Sequence, residues 1–229
     1  ELGEVFAGEF AAKGVSTHLS YSDSGTGRVM AMVSPDSERT MATFLGAAAE
    51  LLPEDFTDTL MQSYDYLYVE GYLVQDHQLI ETILKKGKEN GLMVVIDLSS
   101  YNIVSQNRDL LEYLITSYVD IVFANEEEAL AFTGLIPEEA VAALGKLCDI
   151  SVVKTGKTGS LVHRENHLTR IDPIEAGAID TTGAGDSYAA GFLYGYANGL
   201  PLEKCGILGS FMAGKVIEII GARMDRERF

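Results

Sequence analysis

Tryptophan is absent from this 229-residue sequence, and cysteine occurs only twice. Cys148 and Cys205 lie far apart and form no motif, so they read as reduced, partly buried thiols of a cytoplasmic protein. Basic residues are scarce as well. Seventeen Lys and Arg stand against 34 Asp and Glu, a formal net charge of -17. A surface this negative repels DNA, RNA and anionic lipid, which argues against a nucleic-acid or membrane partner. It leaves room for a small anion in a local pocket, where backbone amides and a few cations suffice. No apolar run reaches the roughly 18 residues that span a bilayer, and no signal-peptide pattern opens the sequence. Internal repeats and low-complexity tracts are missing. Histidine offers no site either. His163 and His167 are four apart, but Arg164-Glu165-Asn166 reads as a turn between strands, and His18 and His77 have no partner nearby in sequence.

What is present is the balance of a soluble globular protein, 47% hydrophobic and 22% charged, long enough for one α/β domain and a small appendage. Residues 1–13 carry Leu2, Val5, Phe6 and Phe10 at helical spacing, and Gly14 stops the run. Residues 15–45 are rich in Ser, Thr and Gly. Val29, Ala31 and Val33 alternate with Met30 and Met32, Ser34-Pro35-Asp36-Ser37 signals a turn, and Arg39 to Phe44 reads as a second strand. This segment is expected to form a small β-sheet outside the main core, with residues 1–14 and 46–229 forming the core unit.

From about residue 60 strands and helices alternate. Strands are expected at 66–69, 92–96, 121–124, 151–154, 160–163 and 167–171. Helices are expected at 75–90, 107–117, 126–133, 137–147, 185–198 and 202–220, the first with Leu79, Ile80, Ile83 and Leu84 on one face. Continuous apolar strands between helices predict a three-layer α/β/α fold with a mainly parallel sheet. Ligands bind at the carboxyl ends of such strands, so the polar residues following each strand are the ones to read for function.

The strongest chemical signal is Asp180-Thr181-Thr182-Gly183-Ala184-Gly185-Asp186, running directly into Ser187-Tyr188-Ala189-Ala190-Gly191-Phe192. Glycines let the backbone turn tightly into a helix. The first N–H groups of that helix lack intrahelical acceptors, and the dipole adds partial positive charge, which makes an anion hole suited to a terminal phosphate. Asp186 sits beside it, where a carboxylate can accept the proton of an attacking hydroxyl. The plainer alternative is a capping Asp at a helix start.

The run Asp180 to Gly191 resembles the carboxy-terminal signature of the ribokinase-like (PfkB) sugar and nucleoside kinases. The resemblance implies that Asp186 is the catalytic base and that Gly183, Ala184 and Gly185 form the anion hole. Asn125-Glu126-Glu127-Glu128 is similar to the family's Asn-x-x-Glu motif. That implies nucleotide binding by Asn125 and a Mg2+ held through water by Glu128; without the family, the acids simply favour a helix start. Lys154-Thr155-Gly156-Lys157-Thr158-Gly159 is similar to the family's nucleotide loop, with Lys154, Thr155, Gly156 and Gly159 as ATP contacts, although the family often has Thr where Lys154 stands. A Walker A reading fails because its leading glycine would fall at Ser151, and a dinucleotide fingerprint from Gly183 fails at Tyr188.

Residues 15–45 resemble the family's β-lid, which excludes water. Thr26-Gly27 and Glu38-Arg39-Thr40 look like the nucleoside-kinase version, so Arg39 would reach the phosphates; otherwise it is a solvent-facing Arg on a turn. Glu70, just after a strand, stands where the family often places an acceptor contact, and Asp97 ends its strand similarly; the plainer reading of both is a loop carboxylate. Asp180 and Thr182, with Gly221-Ala222, resemble a monovalent-cation site that would take K+.

The resemblance therefore implies an ATP- and Mg2+-dependent transferase acting on a primary hydroxyl of a small sugar or nucleoside. Ala189 to Gly195 and Ile220 to Arg223 resemble adenosine-kinase-like members. A fructose- or ribose-type kinase, or a non-catalytic nucleotide-binding homologue, are the alternatives. A nicotinamide dehydrogenase would need a glycine fingerprint near its first strand, and none is present. A homodimer through the lid is a further expectation. Family members carry additional residues ahead of the position matching Glu1, including most acceptor contacts. Residues 1–229 alone are therefore expected to expose an apolar sheet edge and to phosphorylate nothing.

Overall fold

The computed structural model describes residues 2–34 and 39–224, with the side chains of Val33 and Arg39 outside that description. The turn expected at 34–37 and Glu38 fall at or within the segment left out. Helix α1 (Leu2–Ala12) is followed by Gly14 in the left-handed region at φ 74°, as the glycine stop requires. Strand β1 (Arg28–Val33) pairs antiparallel with β2 (Arg39–Phe44), and Val33 faces Arg39 across the pair. These two strands form a sheet of their own.

The remainder builds one six-stranded sheet. In chain order it comprises α2 (Asp58–Met61), β3 (Tyr66–Glu70), α3 (His77–Glu89), β4 (Met93–Asp97), α4 (Tyr101–Gln106), α5 (Arg108–Tyr118), β5 (Ile121–Asn125), α6 (Glu126–Thr133), α7 (Pro137–Leu144), β6 (Ile150–Lys154), β7 (Ser160–Arg164), β8 (His167–Ile171), α8 (Ala184–Ala197) and α9 (Leu202–Val216). The strands lie side by side in chain order. β3 to β6 are parallel, and β7 and β8 add as antiparallel hairpin strands.

Period-2 alternation divides the side chains between two cores. Val94, Ile96, Val122 and Val153 pack on one face against Ile80, Ile83 and Leu84 of α3, Leu111 and Leu114 of α5, and Leu144 of α7. Val95, Ile121, Phe123, Ile150 and Val152 point to the other face, against Tyr188 and Phe192 of α8 and Cys205 of α9. Both faces are covered, which is why the central strands β4 to β6 are mostly apolar and buried. The expected three-layer α/β/α fold with a mainly parallel sheet is the one observed.

Departures from expectation include one unanticipated helix and two early helix ends. The short helix α4 was not anticipated: Ser100 leads into it without a side-chain cap, and its end abuts α5. The helix from Pro137 ends at Leu144 because Gly145 takes the C-cap. α9 ends at Val216 rather than Ile220, since the Ile217 carbonyl turns to accept the amides of Ile179 (2.7 Å) and Asp180 (3.3 Å).

Candidate active site

The alternation that places Val95, Phe123 and Val152 under α8 also fixes the next residues along each strand. Asp97, Asn125 and Lys154 continue on that same face at the carboxyl ends of β4, β5 and β6. Glu70 on β3 lies level with Asp97, and Asn125 level with Lys154. Four adjacent strands thus present a row of polar ends beneath the start of α8.

α8 begins at Gly183, which is left-handed at φ 77°, and no side chain caps the helix. The Gly183 Cα faces Ala222 so closely that an added Cβ would come within 2.6 Å of the alanine methyl. The Ala184 amide bonds Thr181 O at 3.2 Å and the Ser187 amide bonds Gly183 O at 2.9 Å. The amides of Gly185 and Asp186 have no acceptor among the described residues. This pair of uncommitted donors at a positive helix end fits a phosphate oxygen. Asp186 is exposed in the same turn.

Asp180 holds the turn in place. Its carboxylate is buried and accepts the Thr182 amide (2.9 Å), the Thr182 hydroxyl (2.6 Å) and the Gly221 amide (2.7 Å). The loop before α8 is thereby clasped to the segment after α9. Behind it, the Tyr188 hydroxyl lies 2.7 Å from Ser160 Oγ in the buried layer, and Tyr188 stacks on Phe192. That bond ties the first turns of α8 to the strand that follows the loop at 155–159.

That loop is a single tight turn. The Thr155 amide bonds Gly159 O at 2.9 Å, and Thr158 Oγ1 donates to Thr155 O at 2.7 Å. Gly159 at φ 97° lies against Ile171 O with no space for a side chain. Gly156 faces open space. Thr155 is buried, so its contribution to a ligand would come from the backbone.

Asn125 and Glu128 form a closed capping box. Asn125 Oδ1 accepts the Glu128 amide at 2.8 Å, while the Glu128 carboxylate accepts Asn125 N and Nδ2, each at 2.8 Å. Burial pushes the Glu128 carboxyl up to about 7, against the lowering pull of Lys154. Each oxygen keeps an unused lone pair, so the residue fits an outer contact to a hydrated divalent cation. No three His, Cys, Asp or Glu side chains cluster for direct metal binding among the described residues.

Glu70 is exposed at the rim of the row. Its carboxyl is raised above the ordinary range by lost solvation and then by the charges of Asp186 and Asp97, which places all three carboxylates in one electrostatic neighbourhood. The backbone of Arg39 lies at the start of β2; its side chain falls outside the described residues.

The pairing of Lys154 with Asp97, and the residue Tyr68, escaped the sequence reading. Lys154 Nζ lies 2.7 Å from Asp97 Oδ2, an ion pair whose side chains are only 15% and 7% exposed. The Tyr68 hydroxyl is held protonated by lost solvation and by the neighbouring charges of Asp97, Asp186 and Glu70. Only its place two residues before Glu70, on the same strand face, hinted at this.

A parallel sheet whose strand ends face an uncapped, glycine-turned helix start with an exposed acid defines a class, the ribokinase-like ATP-dependent kinases of sugars and nucleosides. The family model described as pfkB family carbohydrate kinase matches residues 1–227, and the chain belongs to that family. An adenosine kinase from Sinorhizobium meliloti superposes with a TM-score of 0.92 at 37% identity, covering 98% of this chain and 71% of that one. An adenosine kinase from Dictyostelium discoideum is 28% identical over 231 residues, 92% of this chain and 68% of its own length. A nucleoside kinase from Methanocaldococcus jannaschii is 37% identical over 112 residues, 48% of this chain, and the match spans only 37% of that protein. No described helix is long and apolar enough to cross a membrane.

Proposed function

We propose that this protein transfers the γ-phosphoryl group of ATP to a primary hydroxyl of a small sugar or nucleoside, with adenosine the first choice. The observation that carries this reading is an exposed Asp186 in the first turn of an uncapped helix, above four polar strand ends. The names of the similar proteins from Sinorhizobium and Dictyostelium favour adenosine over ribose or fructose.

Asp186 takes the proton of the acceptor hydroxyl as its oxygen bonds to phosphorus and the bond to the leaving phosphate oxygen breaks. The amides of Gly185 and Asp186, reached through Gly183 and Ala184, hold the phosphoryl oxygens in line. Thr155, Gly156 and Gly159 offer backbone to the nucleotide, with Lys154 and Asn125 beside them. Glu128 orients water around Mg2+, which when bound neutralises phosphate charge. Glu70 contacts the acceptor. Arg39 on the β-lid of residues 15–45 reaches toward the phosphates as the lid excludes water. K+ beside Asp180 and Thr182, and a homodimer through the lid, belong to the same reading.

The test is an acceptor panel with labelled ATP on the whole protein, spanning adenosine, cytidine, ribose and fructose. Adenosine should be preferred, and preferential labelling of ribose or fructose would replace it. Asp186→Asn should lower turnover by about 10²–10⁴-fold, the usual contribution of a general base, while sparing ATP binding. Undiminished turnover in that variant removes Asp186 as the base.

A further inference from the structure

We infer that Asp97 and Lys154 work as one positioning unit, in which Asp97 holds the Lys154 ammonium against the first turn of α8 as a fixed positive charge for the transferred phosphoryl group. The inference rests on the kinase reading and adds a residue pair to it.

Position is the first argument. Lys154 Nζ lies 3.2 Å from where a Cβ on Gly185 would stand, one residue before Asp186 and beside the two amides without acceptors. A side chain at Gly185 would intrude on the ammonium. Lys154 therefore approaches the anion hole from beneath, through the gap that glycine leaves.

Preorganisation is the second. Lysine has a flexible stem and normally keeps its charge in water. Here the stem crosses the end of β5 to reach β4, and the charge is pinned at 2.7 Å to a carboxylate that is itself fixed. Asp97 Oδ1 accepts the Ser99 amide at 3.1 Å. Ser99 adopts φ 64°, rare for a residue with a side chain, and its hydroxyl bridges Asp97 O and the Gly71 amide, each at 3.0 Å. Strain at Ser99 is thus retained to hold Asp97. A charge fixed in advance stabilises a phosphoryl transition state without reorganising.

Charge balance is the third. Glu70, Asp97, Glu128 and Asp186 all border this space, and the electrostatic surroundings of Glu70 and Glu128 include Asp97. A phosphate entering four carboxylates would be repelled. Lys154 is the cation that the described side chains set among them.

A plain structural salt bridge would give the same stability and none of this function. The reversed pair Asp97→Lys with Lys154→Asp separates the two. It retains opposite charges but carries the ammonium on β4 instead of β6, away from its place beside the start of α8. The whole protein carrying the reversed pair, and separately Asp97→Asn, would be titrated calorimetrically with Mg·ATP and Mg·ADP, with melting temperature measured alongside. The expected result is at least tenfold weaker ATP binding, with ADP affinity changed less than threefold, in any variant that melts within a few degrees of wild type. Equal ATP affinity and equal turnover in the folded reversed pair would overturn the inference. Should the reversed pair not fold, unchanged ATP and ADP affinities in Asp97→Asn would overturn it alone. Wild-type protein that binds no ATP would sink the kinase reading itself, a different failure from loss of the pair's role.

Discussion

The strand-end site and the β1–β2 sheet are held by opposite means. Around α8 nearly every polar group is fixed by another: Asp180 by Thr182 and Gly221, Glu128 by Asn125, Lys154 by Asp97. In the β1–β2 sheet the described side chains offer little of the kind, Arg28 lying over the Phe44 ring at 5.3 Å. Val29, Met30 and Phe44 are 57%, 67% and 52% exposed, and none of its described side chains is buried. The site stands on a large sheet packed on both faces. The small sheet rests mainly on its backbone ladder, with its described side chains exposed, the condition expected of an element that moves. Substitutions should therefore cost much in the first region and little in the second.

The largest effect is expected from Lys154→Met. It leaves Asp97 buried with no counter-charge, which typically costs about 3–5 kcal/mol. Denaturant unfolding would show it, and a loss under 1 kcal/mol would mean that Asp97 is far better solvated than its burial implies. Next comes Gly183→Ala. The new methyl meets Ala222 in a left-handed conformation, for a cost of about 1–3 kcal/mol. Turnover should fall with it, since the amides of Gly185 and Asp186 shift together. Wild-type kinetics in this variant would detach the turn from the chemistry. Tyr188→Phe keeps the stacking on Phe192 and strands the Ser160 hydroxyl, for about 1–2 kcal/mol. A melting curve unchanged from wild type would show that water replaces the bond.

The same contrast governs what was legible in the sequence. Period-2 and period-3.6 patterns gave the strands and α3, because burial writes itself into local order. The turn into α8 was equally plain, since Gly183 and Asp186 are neighbours. The Asp97–Lys154 pair was not. Its members are 57 residues apart, and only the register of three parallel strands brings them together. Asp97 stood as one loop carboxylate among several, and Lys154 as a mismatch to the usual Thr. The end of α9 was hidden for a like reason. Ile219 and Ile220 continue an apolar run, but the long-range bonds to the Ile217 carbonyl and the Gly221 amide break the helix. α4 is six residues long, too short for periodicity to register.

The smallest effect is expected at Met30→Ser. Met30 and Met32 project from one face of β1, Val29 and Ala31 from the other, and both faces are exposed. A surface change of this kind usually stays within about 0.5 kcal/mol. Stability should therefore hold, while under the proposed lid role the ratio of ADP formed to acceptor phosphorylated should rise, because a less apolar cover would admit water to the phosphoryl group. A stability loss above about 1 kcal/mol, well outside that surface range, would mean that this face is packed against something in solution. The two regions would then be held by the same kind of burial, and the mobility argued for the small sheet would fail with the contrast.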